Sequence, residues 1–510
     1  MLSSQLMKRM IWLLLIAFTF AASWYLTFRY FPFEPDVANS PLVWRGFLTE
    51  GFSVFKDWFP TPDNWYFTVY PVNFIFFSLL SSDGRFALTL STMFFVFITP
   101  LIVAVIINAT NKKISFIFAP ILIISLPAYC YIYGFIAHPF SHYSTNFFGI
   151  VIFALCFFNL KRQSTSICLL YSVLSLLTAV SDPWFAATYF LPLLLTHFYF
   201  TWQKVITKKA SIIYLVTFIF TMIHAVPRWL HIPIQRFELV PLAQWPINFE
   251  WVIHVMGRSL NLFFIDNNIV YAVSLLIWSV LFIHALVVCW KKGTQSRFIA
   301  IFSFLSISAI ISSFIIGYDM PYEGSARFFV NAFIFLMMVV TLRFSFKSNP
   351  LVACIFALFI CSSYYSYYKY SAPFADQESK TWAYIDFLKK NNLTFGYSDY
   401  WLLANNVNWL SENEIHITSV RWEDNFQIMS NRSRVQNMRS WLKPDFIQQS
   451  PERQFVAIPA IETADKSSEA NRRVDAIRQQ LGAADEVMTF DGMTILVYNH
   501  RIVFPQLDDK

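Results

Sequence analysis

The chain has 510 residues, of which 56% are hydrophobic, 19% aromatic and 14% charged, with a formal net charge of +7. Soluble domains carry roughly 25% charged residues, which excludes an ordinary soluble protein. Nor does the positive excess point to nucleic acid, because no glycine-rich phosphate loop or basic aromatic stripe is present and glycine totals 12; loop charges that orient membrane helices account for it.

Lys8 and Arg9 precede an apolar run from Ile11 to about Tyr30. Ala21-Ala22-Ser23 is compatible with signal cleavage, but Trp24-Tyr25-Leu26 continues the run, which favours an uncleaved first span. A large loop, 31–85, follows. Within it Tyr66–Leu80 is apolar but short and carries Pro71 and Asn73, so we read it as a helix lying at the outer surface. Basic clusters then separate the apolar runs: Lys112-Lys113, Lys161-Arg162, Lys204 with Lys208-Lys209, Lys291-Lys292 with Arg297, and Arg343 with Lys347. Placing each in the cytoplasm predicts about eleven transmembrane helices, with the N-terminus inside. The predicted spans are 11–30, 86–108, 114–133, 145–160, 165–180, 185–202, 211–227, 269–290, 298–317, 327–342 and 351–367. The acids agree: the twelve Asp and Glu before residue 371 all fall in segments this topology puts outside, and the other 19 come later.

From about Ser371 the composition turns polar, over a length sufficient for a separate domain. Trp382, Ile385 and Leu388 recur at helical spacing, as do Ala470, Val474, Ile477 and Leu481. Gln454–Pro459 reads as a strand. Val487–Phe490, Asp491-Gly492 and Met493–Tyr498 read as a hairpin. The predicted fold is therefore a polytopic α-helical membrane protein: residues 1–370 form the transmembrane domain with its large first outer loop, and residues 371–510 form a soluble α/β domain on the outer side. The six cysteines lie in apolar segments without metal-ligand spacing, so neither a disulfide framework nor a zinc site is expected.

The candidate chemistry collects on the outer face. The first loop reads Phe33-Glu34-Pro35-Asp36, then Arg45, Trp58-Phe59-Pro60, Tyr70-Pro71 and Gly84-Arg85-Phe86. An acid close to the membrane is costly to desolvate and so is a functional candidate, the plain alternative being a solvated loop carboxylate. His138 and His142 are four apart, a metal spacing on a helix, but Pro139 argues against a regular helix there. They fit a substrate hydrogen bond or a structural role. Asp182, in Ser181-Asp182-Pro183-Trp184, sits at an outer helix junction, where it fits substrate or a helix start. Arg327 begins an outer helix end, with Asp319 and Glu323 on the same face; arginine suits phosphate or a lipid headgroup. Arg85, Arg228, Arg236 and Arg258 are weaker cations of the same kind. Trp58, Trp65, Trp184, Trp229 and Trp245 fit sugar stacking or an interfacial belt. In the tail, Tyr397-Ser398-Asp399-Tyr400-Trp401 fits a glycan grip or a buried strand end.

The first-loop pattern resembles the GT-C superfamily of membrane glycosyltransferases, in which an acid follows the first helix, then surface helices, a proline-containing segment and an arginine before helix two. Asp36, Pro71 and Arg85 stand at those places, although this chain has Glu-Pro-Asp for adjacent Asp-Glu and Tyr-Pro-Val for Lys-Pro-Pro. Size, helix number and the outer tail look most like the serotype-converting O-antigen glucosyltransferases of bacteria and their phages. The resemblance implies a polyprenyl-phosphate-linked sugar donor, a glycan acceptor such as lipid-linked O-antigen, and contact with membrane lipid in a bacterial inner membrane, the tail being periplasmic. Read with that chemistry, Asp36 is the expected catalytic base with Glu34 second, Arg327 and Arg85 are expected at the donor phosphate, and His138, His142, Asp182, Trp184, Asp319 and Glu323 at substrate. No cofactor and no metal are assigned, though Glu34-x-Asp36 could hold a divalent cation, as in some relatives. Rival readings are a lipid-linked glycan transporter, an O-antigen polymerase or ligase, and a non-catalytic assembly subunit. Asn392-Leu393-Thr394 and Asn431-Arg432-Ser433 are formal glycosylation triplets.

Overall fold

The computed structural model describes residues 4–111, 113–235, 237–372, 376–429, 433–459 and 469–504. Contacts divide the chain into two compact units: Met1–Phe31 with Pro62–Leu80 and Arg85–Pro373, and Pro32–Thr61 with Ser81–Gly84 and Phe374–Lys510. Sequence order groups the whole first loop with the helices. By contact, residues 32–61 and 81–84 belong instead with the tail.

The first unit is helical. Among the described residues seven helices are long and apolar enough to cross a membrane: Gln5–Tyr30, Arg85–Thr110, His142–Arg162, Asn268–Lys291, Thr294–Gly317, Glu323–Phe346 and Pro350–Lys369. Each coincides with an expected span. The other four expected spans fall on shorter or interrupted helices, and the sequence gives the reasons. Residues 114–133 break between Phe118–Ile124 and Ala128–Ile132, because Pro127 withholds a donor and disfavours helical geometry at Leu126. Residues 185–202 begin as a wide π turn, Ala186–Phe190, ahead of Pro192 in Leu191–Trp202. Thr165–Ser181 has 17 residues. Lys208–Met222 has 15 and stops before the separate turn Ala225–Trp229.

The most enclosed helix is Glu323–Phe346, with 89% of its apolar window buried, against 28% for Gln5–Tyr30 and Asn268–Lys291. It is therefore the packing centre of this unit. Phe335 meets Phe153, Tyr189 and Phe302 edge-on there. Gly149 lets the helices close up: a Cβ at that position would lie 2.5 Å from the Tyr189 ring. Val69–Leu80, the expected surface helix, has only 12 residues, about 18 Å of helix, which is short of a hydrocarbon core.

The second unit is built on a five-stranded sheet in the order His416–Ser419, Phe395–Ser398, Gln454–Pro459, Met493–Tyr498, Glu486–Phe490. The first three strands are parallel and the last two pairings antiparallel. Strand alternation sends Phe455, Ala457, Ile495 and Val497 to one face, against Tyr384, Ile385 and Leu388 of the helix Gln377–Lys390. Val456, Ile458, Leu496 and Tyr498 go to the other, against Val474 and Ile477 of Glu469–Leu481. The expected hairpin is present, with φ of 40° at Asp491 and 77° at Gly492, the positive pair a two-residue turn needs. Trp382, expected on the buried face, is 43% exposed; at 100° per residue it stands well off the Tyr384–Ile385–Leu388 stripe. Trp58–Phe59 of the first loop pairs antiparallel with Asn437–Met438, one reason the loop joins this unit.

Candidate functional site

In the helical unit the sequence-predicted residues gather around Asp182. The loop stretch after residue 61 fixes the chain just before it. Asn64 Nδ2 donates to the Val180 carbonyl at 2.6 Å, Trp65 N to the Ser181 carbonyl at 3.2 Å, and Phe67 N to Ser181 Oγ at 2.8 Å. Asp182 then ends the helix Thr165–Ser181 rather than starting the next. Its carboxylate is 1% exposed, and burial of a charge requires partners. Oδ2 accepts from Thr145 Oγ1 at 2.6 Å and meets His142 Nδ1 at 2.8 Å, while Oδ1 accepts from Trp184 N at 3.0 Å.

His142 opens the helix His142–Arg162. Its ring stacks on Trp184, with centroids 5.0 Å apart and 13° between planes, and its other neighbour is Phe328 at 5.1 Å. Trp184 Nε1 donates to the Phe328 carbonyl at 3.0 Å. The adjacent Arg327 lays its guanidinium over the rings of Phe328 and Phe135, 5.1 and 5.4 Å from their centroids. Arg327 Nε is buried without a hydrogen-bond partner, and no carboxylate pairs with this arginine among the described residues.

Asp319 and Glu323 do not neutralise it. Asp319 is exposed. Glu323 is committed elsewhere: it accepts from Tyr129 Oη at 2.7 Å and meets His254 Nε2 and Arg258 Nη1, each at 3.0 Å. The Glu323 hydrogen bond lifts the His254 pKa above its ordinary value against the opposing effect of burial. Nearby, Asp266 meets Lys369 at 2.6 Å and Tyr271 at 2.9 Å, and also accepts from Tyr370. Burial raises its pKa, but these donors outweigh burial and hold it below the usual carboxylate range. Sequence reasoning ranked Arg258 low and missed His254. Their spacing of four on the helix Gln244–Ser259 was a usable signal, since it puts both on one face.

His138 is buried, and its Nδ1 accepts from Phe140 N at 2.9 Å. With His142 turned to Asp182, the histidine pair does not form a metal clip. Arg85 starts the helix Arg85–Thr110 and stands 6.0 Å from the Phe31 ring centroid. Trp65 is buried, whereas Trp229 is 78% exposed. Arg236 lies outside the described residues, as do Asn431 and Arg432 of the second glycosylation triplet.

The second unit holds Asp36. Pro35 sets the 3-10 turn Pro35–Ala38 that carries it. Tyr400 Oη and Gln436 Nε2 both donate to Asp36 Oδ1, the latter at 2.8 Å. The Arg434 guanidinium covers the Tyr400 ring at 3.5 Å. Burial, reinforced by the Asp36 charge, pushes the Tyr400 phenol well above its ordinary pKa, and burial lowers that of Arg434. Asn405 Nδ2 bridges Asn39 Oδ1 and the Gln436 carbonyl at 3.2 and 3.0 Å. Glu34 is half-buried, and its side chain does not cap the turn. The aromatic cluster splits by role. Tyr397 and Ser398 are buried in a strand, Asp399 pairs with Arg473 at 3.3 Å, and Trp401 is 60% exposed.

Asp36 Oδ1 faces the Tyr400 and Gln436 donors, with a guanidinium behind the tyrosine ring. Among the described residues no group of three His, Cys, Asp or Glu is placed to hold a metal.

Helix lengths, hydropathy and the C-terminal sheet together define a multi-pass membrane protein with a sheet-containing C-terminal unit. No family model and no curated protein matches the chain. Among solved structures it is similar to the crystal structure of the Archaeoglobus fulgidus oligosaccharyltransferase in complex with Zn and sulfate. Identity is 9% and the TM-score 0.43, over 87% of this chain and 68% of that one. Neither the fold class nor the site rests on that likeness.

Proposed function

We propose that this chain is a GT-C membrane glycosyltransferase that moves one sugar, glucose in the first instance, from a polyprenyl-phosphate carrier to a glycan acceptor on the outer side of a bacterial inner membrane. The acceptor is lipid-linked O-antigen, the N-terminus is cytoplasmic, and the C-terminal unit is periplasmic and helps hold the acceptor. The observation that carries the reading is Arg327, a half-buried cation without a carboxylate partner among the described residues, next to the Asp182–His142–Trp184 group.

Glycosyl transfer needs a base for the acceptor hydroxyl as it attacks the anomeric carbon. Asp36 is that base, its Oδ1 oriented by Tyr400 and Gln436. The bond from the anomeric carbon to the phosphate oxygen breaks, and its electron pair leaves on the phosphate. Arg327 stabilises that charge.

The test is the outer glycan of cells expressing wild type, Asp36→Ala or Arg327→Ala at matched protein levels, analysed by mass spectrometry. The expected result is a gain of one hexose with wild type, absent in both variants. A modification that survives Asp36→Ala refutes the mechanism. An unchanged glycan throughout favours the transporter or subunit readings.

A further inference from the structure

Arg327 is one donor where a phosphate needs several, and the group beside it holds a second. Asp182 occupies His142 Nδ1 at 2.8 Å, and Thr145 Oγ1 and Trp184 N fix Asp182 in turn. Trp184 and Phe328 hold the imidazole plane. The ring is thereby locked with Nε2 turned away from the carboxylate, and among the described residues Nε2 has no hydrogen-bond partner. The guanidinium of Arg327 and the imidazole of His142 each stand 5.1 Å from the Phe328 centroid, so they lie within about 10 Å of each other.

Charge favours such a ligand. Thr145 and Trp184 give Asp182 only neutral donors, and a buried carboxylate calls for a counter-charge. The imidazolium form of His142 would supply it, and in that form Nε2–H is a donor. Glu323 is spent on Arg258 and His254, so Arg327 adds a net positive charge that the described carboxylates leave uncompensated.

We propose that His142 and Arg327 form a two-point phosphate site in which His142 Nε2 is the second ligand of the phosphate and Asp182 is its positioning residue. The glycosyl-transfer reading supplies only the identity of the lipid that carries the phosphate.

The experiment titrates full-length protein, purified in uncharged detergent, with farnesyl phosphate, farnesol and inorganic phosphate. Wild type is compared with His142→Gln, Arg327→Gln and Asp182→Asn, each checked for a wild-type elution profile. A hydrogen bond to a charged group contributes enough that losing one weakens binding about tenfold or more. The expected result is that loss for farnesyl phosphate in the His142 and Arg327 variants and a smaller one in Asp182→Asn, with farnesol affinity unchanged. Competition by inorganic phosphate, sensitive to the same variants, supports a contact at the phosphate itself. Unchanged farnesyl phosphate affinity in His142→Gln overturns the proposal, as does an equal loss for farnesol, which marks a structural role. Because the readout is binding, a protein that holds farnesyl phosphate through His142 yet adds no hexose to cells refutes the transferase reading alone. One that adds hexose while His142→Gln binds normally refutes this inference alone.

Discussion

Replacing Asp182 by alanine tests whether the group around it is built as described. The carboxylate is 1% exposed and accepts from His142, Thr145 and Trp184 at 2.6–3.0 Å. Asp182→Ala leaves three buried donors without an acceptor. Each orphaned donor costs about 1–3 kcal/mol, and breaking a buried pair costs about 3–5 kcal/mol. These overlap because the donors share one carboxylate, so the net loss is about 4 kcal/mol rather than the sum. Thr145→Val removes one hydrogen bond to the charged group and costs about 2 kcal/mol. Asp182→Asn keeps an oxygen for Trp184 N and falls between them. The assay is thermal unfolding of the detergent-solubilised protein followed by tryptophan fluorescence. The expected order of midpoints is wild type, Thr145→Val, Asp182→Asn, Asp182→Ala. Asp182→Ala melting with wild type, or Thr145→Val falling as far as Asp182→Ala, would falsify the account of a shared buried carboxylate.

Three further outcomes are expected. Gly149→Ala puts a Cβ 2.5 Å from a Tyr189 ring that Asn146 Oδ1 holds by its hydroxyl; overpacking of this kind costs about 1–3 kcal/mol, read as a lowered midpoint that Tyr189→Phe in the same chain partly restores. The raised pKa of His254 makes its pairing with Glu323 pH-dependent. The folded value lies above the ordinary 6.5, so the stabilisation is complete below 6.5 and lost as pH rises through the folded value; the midpoint difference between wild type and His254→Gln should shrink over that window, and a difference constant from pH 5.5 to 9 contradicts it. Tyr400→Phe removes a donor from Asp36 Oδ1 while keeping the ring under Arg434; the protein should lose about 2 kcal/mol of stability and, at matched protein levels, show reduced hexose addition in the glycan assay, whereas unreduced addition denies Tyr400 any part in orienting Asp36.

Local patterns carried much of the fold. Asp491-Gly492 announced the hairpin because few residue pairs tolerate two positive φ values. The strand Gln454–Pro459 matches its sequence reading, and basic clusters separated runs that became seven long apolar helices. Pro127 and Pro192 mattered more than hydropathy in the spans that came out broken. Trp382 shows the limit of spacing alone, since three residues at intervals of three drift around a helix, and the sheet selects which arc is buried.

The site divides the same way. Residue type and position marked Asp36, Asp182, His142 and Arg327 individually, because acids and cations beside apolar helices are costly and few. Their partners were invisible. Asp182 and His142 are 40 positions apart, and Tyr400 and Gln436 reach Asp36 across 364 and 400. Short-range periodicity reports which face a residue takes on its own helix or strand, and nothing about which distant face it meets. The sequence by itself determined a multi-pass helical chain with a mixed α/β tail, since hydropathy and turn chemistry act locally. Only the tertiary structure decided that residues 32–61 join that tail and that Glu323 is paired while Arg327 has no carboxylate partner among the described residues, because packing between segments remote in sequence sets which charges are compensated.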